Sequence, residues 1–307
     1  MLSGRYLVAR LLGAVLVLWG VTTVAFVVLR LSGDPVLLLV PAEATAADIE
    51  EMRTVLGLAD PIPQQYVRFL GGAVRGDFGN SLWQRQPALP LVLERLPATT
   101  ILALAALFLA VVVAIPSGIF AATRAGSPLD TLSMLLAVIG QSMPHFWLGL
   151  MLLLLFAVQL RWLPATVDNS PRSLVLPAAT LGLALMARIA RLSRSGMLEV
   201  LEQDYIRTAR AKGLHERVVL YRHALKNASL AIVTVIGLQL GYLLGGTVIV
   251  ETVFGWPGIG SLAISAISHR DYPVVQAVVI MSAALLVLLN ILVDMVYTWL
   301  DPRIKYH

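Results

Sequence analysis

The 307-residue chain carries few side chains whose type and spacing suit chemistry. His215-Glu216-Arg217-Val218-Val219 opens as a zinc-protease helix does, but Val219 stands where the second imidazole of H-E-x-x-H must bind, so no metal site is expected there. No Gly-Lys dipeptide occurs, which excludes the phosphate-cradling loop G-x-x-x-x-G-K-[ST], and no G-x-S-x-G elbow presents a nucleophilic serine. Cysteine is absent, so disulfides and thiolate metal sites are excluded. His145 is the one histidine inside a long apolar run, which excludes haem held between two histidines of this chain. Following Pro144, it reads as a hydrogen-bonding core residue.

One acid, Asp294, lies in the last apolar run, with Asn290 four residues earlier on the same helix face. A charge at that depth costs about 2.5–3.5 kcal/mol on insertion scales, so it is expected to face a bundle interior, paired or protonated. The pair reads either as structural hydrogen bonding or as the ion site of an ion-coupled secondary carrier or channel. No other Asp or Glu lies within a run, whereas a proton relay needs several. The remaining candidate is the polar stretch Asp204, Tyr205, Ile206, Arg207, Thr208, Ala209, Arg210, Ala211, Lys212 and Gly213. On a helical wheel Leu201, Tyr205, Ile206 and Ala209 gather on one side while Glu202, Arg207 and Arg210 point elsewhere, and Gly213 is placed as the stop. Its charges are mixed and it has few large apolar residues, which disfavours lying on the bilayer. Clamped at both ends, it suits the transfer of a rigid-body push from a soluble partner.

The elements that must position these residues follow from composition. The chain is 58% hydrophobic and 13% charged, with a mean hydropathy of +0.81, more than a soluble domain carries without exposing large apolar patches. Runs at Leu11–Leu29, Leu96–Thr123, Thr131–Leu160, Ser173–Ala187, Asn227–Val250 and Tyr272–Val293 each read as a spanning helix. The fourth is short and extends through Arg188 and Arg191, whose side chains are expected to snorkel toward headgroups. The runs do not alternate as barrel strands do. The first follows basic residues as a signal peptide does, yet it leads into Arg30 without a small-x-small cleavage site and is read as retained.

The expected fold is therefore an all-α membrane protein with six transmembrane helices. Residues 1–30 hold the cytoplasmic N-terminus and first helix, 31–95 an external cap, and 96–307 a five-helix core with a loop at about 193–227. With the N-terminus inside, the inner segments carry fourteen bases against six acids and the outer segments nine against eleven. Both termini then lie in the cytoplasm. The net charge of +5 is explained by this topology rather than by a nucleic-acid partner.

Within the cap, Thr45 and Asp48 resemble a capping box, and Gly57 is placed as a helix stop. Pro116 and Pro144 each remove a backbone donor and are expected to face protein. Phe254, Gly255, Trp256, Pro257 and Gly258 are expected to leave the helix at the outer interface, with one end of Trp256 wet. Gly241 and Gly245 permit close backbone approach, within the chain or to a partner subunit.

These features come together in a resemblance to the inner-membrane permease subunits of ABC importers, in the branch that takes up dipeptides, oligopeptides, glutathione and nickel complexes. Gly33-Asp34-Pro35, Gly76-Asp77-Phe78-Gly79, Phe146-Trp147-Leu148-Gly149 with Trp162-Leu163-Pro164, the stretch from Asp204 to Gly213, Val250 through Gly258, Arg270-Asp271-Tyr272-Pro273 and Leu300-Asp301-Pro302-Arg303 carry it in order over nearly the whole chain. The Asp204–Gly213 stretch resembles the family's Glu-Ala-Ala-x-x-x-Gly loop, whose coupling helix docks on an ATPase subunit. Arg207 and Thr208 depart from its first two positions, Ala209 and Gly213 match, and Ala231 stands where the branch commonly has proline. The resemblance implies a multi-pass permease of the bacterial cytoplasmic (inner) membrane, paired with a homologous second permease. It further implies two ATPase subunits that bind ATP and Mg, an extracytoplasmic substrate-binding protein, and no catalysis or cofactor in this chain.

Overall fold

The computed structural model describes residues 4–31, 36, 40, 44–168 and 170–300. Gly33–Pro35, Asp301–Arg303 and Lys305 lie outside them, as do the side chains of Arg5 and Ala231. The chain is built from helices: α1 (Gly4–Leu31), α2 (Ala46–Val55), α3 (Ile62–Val74), α4 (Ala88–Thr123), α5 (Pro128–Ser142), α6 (His145–Leu152), α7 (Val175–Leu201), α8 (Asp204–Ala211), α9 (Glu216–Val218), α10 (Leu225–Phe254), α11 (Ile259–Ser268) and α12 (Tyr272–Leu300). α6 runs on into π-helical Leu153–Gln159, and α9 into π-helical Val219–Ala224. Among the described residues the only β pairing is a single bridge between Asn80 and Pro87.

Among the described residues four helices are long and apolar enough to cross a membrane: Arg10–Leu31, Ala88–Thr123, Pro171–Leu201 and Tyr272–Met295. The count reaches six if two pairs of helices joined by short breaks each make one span. In the first pair, Pro128–Ser142 and His145–Gln159, the axes bend by 107°, where the sequence suggests one uninterrupted crossing. The cause is local. A residue before proline is kept out of the helical region, and Met143 has ψ 131°. Pro144 then serves as the N-cap of α6, where its missing N–H costs nothing.

Two compact units emerge. One holds residues 4–99 and 257–288 among those described. Its core gathers Phe78, Val92, Ile259, Leu262, Val274 and Val278. Phe26 of α1 packs edge-on against Tyr66 of α3, with ring centroids 5.3 Å apart, and stacks on Phe69 at 5.7 Å. Thr45 caps α2 through a reciprocal box with Asp48, whose two hydrogen bonds from Thr45 hold its carboxyl below the usual carboxylate range. Gly57 ends that helix with φ +66°. Buried Asp271 accepts hydrogen bonds from Ser81 Oγ and from the backbone N–H groups of Leu82 (3.0 Å) and Trp83 (3.4 Å). It thereby ties the loop before α4 to the residue before α12.

The other unit holds residues 100–256 and 289–300 among those described. α7 is its centre, packed on α5, α6 and α10. The α4 residues Ala103, Ala106, Ala110, Ala114 and Ala121 form a buried stripe at helical spacing. Glycine permits its close approach to α7: a Cβ on Gly182 would lie 2.9 Å from the Ala106 carbonyl oxygen, and one on Gly118 would lie 2.5 Å from the Ser193 Cβ. Pro116 projects away from this stripe. It and Pro144 are exposed on this chain.

Candidate functional site

α8 occupies the turn between the two long helices α7 and α10. It has only eight residues, too few to be stable alone, so its existence depends on packing. Ile206, with no exposed surface, and buried Ala209 enter a cluster with Ile119, Met197, Val219, Ala224 and Ala228. Leu201 packs at its margin. Tyr205 differs from the wheel-based expectation. The residue is 42% exposed, and its hydroxyl accepts a 2.8 Å hydrogen bond from Asn227 Nδ2, at the foot of α10.

The opposite face is polar and exposed. Arg207 lies 3.7 Å from Asp204 with both side chains largely in solvent, and Thr208 bonds the Asp204 carbonyl at 2.9 Å. Ala211 and Lys212 are exposed. Gly213 ends the helix at φ +74°, with the Leu214 N–H reaching back to the Ala209 carbonyl at 3.4 Å. Nothing lies within 4 Å of a Cβ built at Gly213, so the glycine is required by backbone conformation rather than by space. Beyond it, Arg210 grips Glu216 through two bonds of 2.8 and 3.2 Å. Those bonds hold the Glu216 carboxyl below its usual range and raise the Arg210 guanidinium. His215 Nδ1 accepts the Arg217 N–H, so the zinc-protease-like pair His215 and Glu216 is engaged in closing the turn.

Three arginines at three-residue spacing fasten α7 to its neighbours. Arg188 Nη1 bonds Gln239 of α10 at 3.0 Å, Arg191 Nη2 bonds Gln141 of α5, and Arg194 pairs with Asp130 of α5. The expected snorkelling of Arg188 and Arg191 is corrected: polar partners on adjacent helices lie within reach of both, so neither must extend to a headgroup. A cavity of about 20 Å³ lies beside Arg188, Gln239 and His145. It has room for one water, and the buried His145 Nδ1 has no protein partner among the described residues. His145 therefore lacks, at this atom, the core hydrogen bond expected from the sequence.

Other expected sites look different in three dimensions. Asn290 is exposed whereas Asp294 is half-buried, so the two do not build an enclosed polar pocket. α10 runs past Val250 to Phe254, which makes Glu251 a fully buried acid inside a helix. Phe254 is buried, Gly255 takes φ +64° as the C-cap, Pro257 is exposed and Gly258 is buried. Trp256 is 9% exposed, so the indole is enclosed by the chain instead of presenting a wet end. The backbone N–H of Trp256 returns to the Glu251 carbonyl at 2.8 Å. A Cβ on Gly245 would meet nothing within 4 Å, so this chain leaves that face of α10 open. Neither the Arg210–Glu216 clasp nor the Tyr205–Asn227 bond has a local sequence signal, because each depends on how the turn folds back.

Comparison with known proteins agrees with this architecture. The chain matches the family model of the binding-protein-dependent transport system inner membrane component over residues 114–306, and the model of its N-terminal part over residues 1–103. It is 41% identical over 312 residues to a probable peptide ABC transporter permease of Sinorhizobium fredii, covering 99% of this chain and all of the relative. It is 40% identical to the oligopeptide transport system permease AppB of Bacillus subtilis, over 98% of this chain and 99% of that one. The glutathione transport system permease GsiC of Escherichia coli K12 is 41% identical over 303 residues, with 98% of this chain and 99% of GsiC covered. In fold, the chain is similar to the inward-facing methionine ABC transporter MetNI at a TM-score of 0.58 and 18% identity, over 69% of this chain and 96% of that one. Helices long enough to span a membrane, the two family-model matches and full-length relatives lead to one assignment: the chain belongs to the binding-protein-dependent transport system inner membrane component family, and is a permease component rather than an enzyme.

Proposed function

We propose that this chain is one of two homologous permease subunits of an ATP-driven importer for di- or oligopeptides or a related small solute. It crosses the inner membrane six times with both termini in the cytoplasm. It forms half of the path, receives solute from an external binding protein, and takes work from two ATPase subunits through α8. The observation that carries this reading is the mounting of α8: Ile206 and Ala209 anchor it to helices α4 and α7, while its polar face is left to solvent. Around it Tyr205, Leu214, Val218 and Tyr221 are exposed apolar residues that a partner would cover. A short helix held at both ends moves as a rigid body when pushed, and the push is passed to the two long helices that hold it. Relatives named for peptide and glutathione transport support the solute class.

The test is reconstitution of the complete importer with Gly213→Val or Asp204→Lys. Both variants are expected to insert normally while losing most peptide uptake and peptide-stimulated ATP hydrolysis. Uptake at the unmodified rate in both variants would remove α8 from the coupling route.

A further inference from the structure

Arg191 is half-buried on α7, inside a helix apolar enough to cross the membrane and roughly 15 Å of rise short of its end at Leu201. Its neighbour one turn on, Arg194, is neutralised by Asp130. Arg191 is not. Among the described residues its side-chain partner is the amide oxygen of Gln141, which carries no charge. Nη2 makes that bond, leaving the N–H groups of Nε and Nη1 unspent.

Ionised side chains inside spans pair with each other or face water-filled space, and they mark the routes of solutes and ions. Arg191 borders open space. A groove of about 460 Å³ between α7 and α10 is lined by Arg188, Arg191, Leu192, Ser195 and Val235, with apolar surface around the two guanidinium groups. A cation on an apolar wall, in a space of this size, is complementary to a small solute bearing one anionic group. The planar fork of arginine fits a carboxylate through two parallel bonds, and low local polarity strengthens both.

We propose that Arg191 forms an anion site in the α7–α10 groove, where it binds the carboxylate of a solute in transit. The inference rests on the importer reading above and narrows its substrate class to carboxylate-bearing solutes. Arg188 lines the same groove, with its Nη1 hydrogen-bonded to Gln239. Positive charge would hold such a solute on the route without the complete desolvation of a closed pocket, which permits release.

The experiment uses the full importer with its binding protein and ATPases in liposomes, and compares trialanine with trialanine amide, which lacks the anion. Arg191→Gln is expected to lower ATP-driven uptake of trialanine about tenfold while leaving the amide within about twofold, and Arg191→Lys is expected to lie between. Equal losses for both peptides would make Arg191 a bolt between α7 and α5 and overturn the proposal. No loss for either overturns it too. If the effect of Arg191→Gln appears only in vesicles containing phosphatidylglycerol and vanishes in phosphatidylcholine alone, the anion is a lipid phosphate and the proposal fails. Absence of ATP-driven uptake of either peptide by the unmodified importer overturns the peptide reading itself, and this inference with it.

Discussion

Arg194 holds Asp130 in a two-pronged ion pair, Nε to Oδ1 at 2.5 Å and Nη2 to Oδ2 at 2.6 Å, joining the last third of α7 to the first turn of α5. Asp130 is 3% exposed and also accepts the Gly126 N–H at 3.0 Å, so the carboxylate fastens the turn between α4 and α5 as well. Removing one partner from such a pair leaves the other charge buried. Arg194→Ala is therefore expected to lower stability, seen as a reduced melting temperature in detergent. The exchange Asp130→Arg with Arg194→Asp should recover part of it. A melting point unchanged in Arg194→Ala would show the pair to be energetically idle.

Ile206 anchors α8 in the cluster with Ile119, Met197 and Val219. Ile206→Ala opens a cavity there and should cost about 3 kcal/mol, whereas Ile206→Val should cost about 1 kcal/mol. Because α8 is too short to persist undocked, the larger loss should appear as faster amide hydrogen exchange across Asp204–Ala211 while exchange in the middle of α10 stays slow. Uniform acceleration through both helices would contradict a local anchoring role.

The clasp between Arg210 and Glu216 gives a pH dependence of known sign. Its hydrogen bonds hold the Glu216 pKa below its ordinary 4.5, so the stabilisation is fully present above that value and is lost as pH falls through the depressed one. Both side chains are substantially exposed, which keeps the effect below about 1 kcal/mol. Amide exchange at Leu214–Val218 should accelerate as pH falls below the ordinary glutamate value of 4.5, beyond the intrinsic change, and Glu216→Gln should abolish that extra step. The same step in Glu216→Gln would assign it to another group.

Asp271 accepts from three donors on the Ser81–Trp83 turn, so Asp271→Ala leaves buried donors unpaired. A loss of about 2 kcal/mol is expected, with new protease cleavage between Asn80 and Pro87. Asp271→Asn, which keeps an acceptor oxygen, should be cut more slowly. Equal resistance in all three proteins would mean that the turn is held by other contacts.

What could be read from sequence depended on the range of the interaction. The capping box of Thr45 and Asp48 and the stops at Gly57 and Gly213 involve residues three to six apart, and all three are present. The burial of Ile206 and Ala209 followed from helical periodicity. Long-range partners were not legible. Nothing local tells Arg188 or Arg191 that Gln239 and Gln141 will lie within reach, so local sequence directs both toward headgroups. Burial of Glu251 and Trp256 is hidden for a related reason: Gly255 caps the helix one turn later than the polar Glu251 suggests. The bend at Met143 and Pro144 was in principle visible, since proline constrains the residue before it, but unbroken apolarity from 131 to 160 outweighed that signal.

The Arg210–Glu216 clasp reaches over Gly213 from beyond the end of α8, so the smallest transplantable cassette runs from Asp204 through Glu216. A chimera that grafts this helix from a relative with its junction at Gly213 would strand a donor guanidinium opposite a foreign acceptor. Moving the seam past Glu216 keeps both halves of the clasp from one parent.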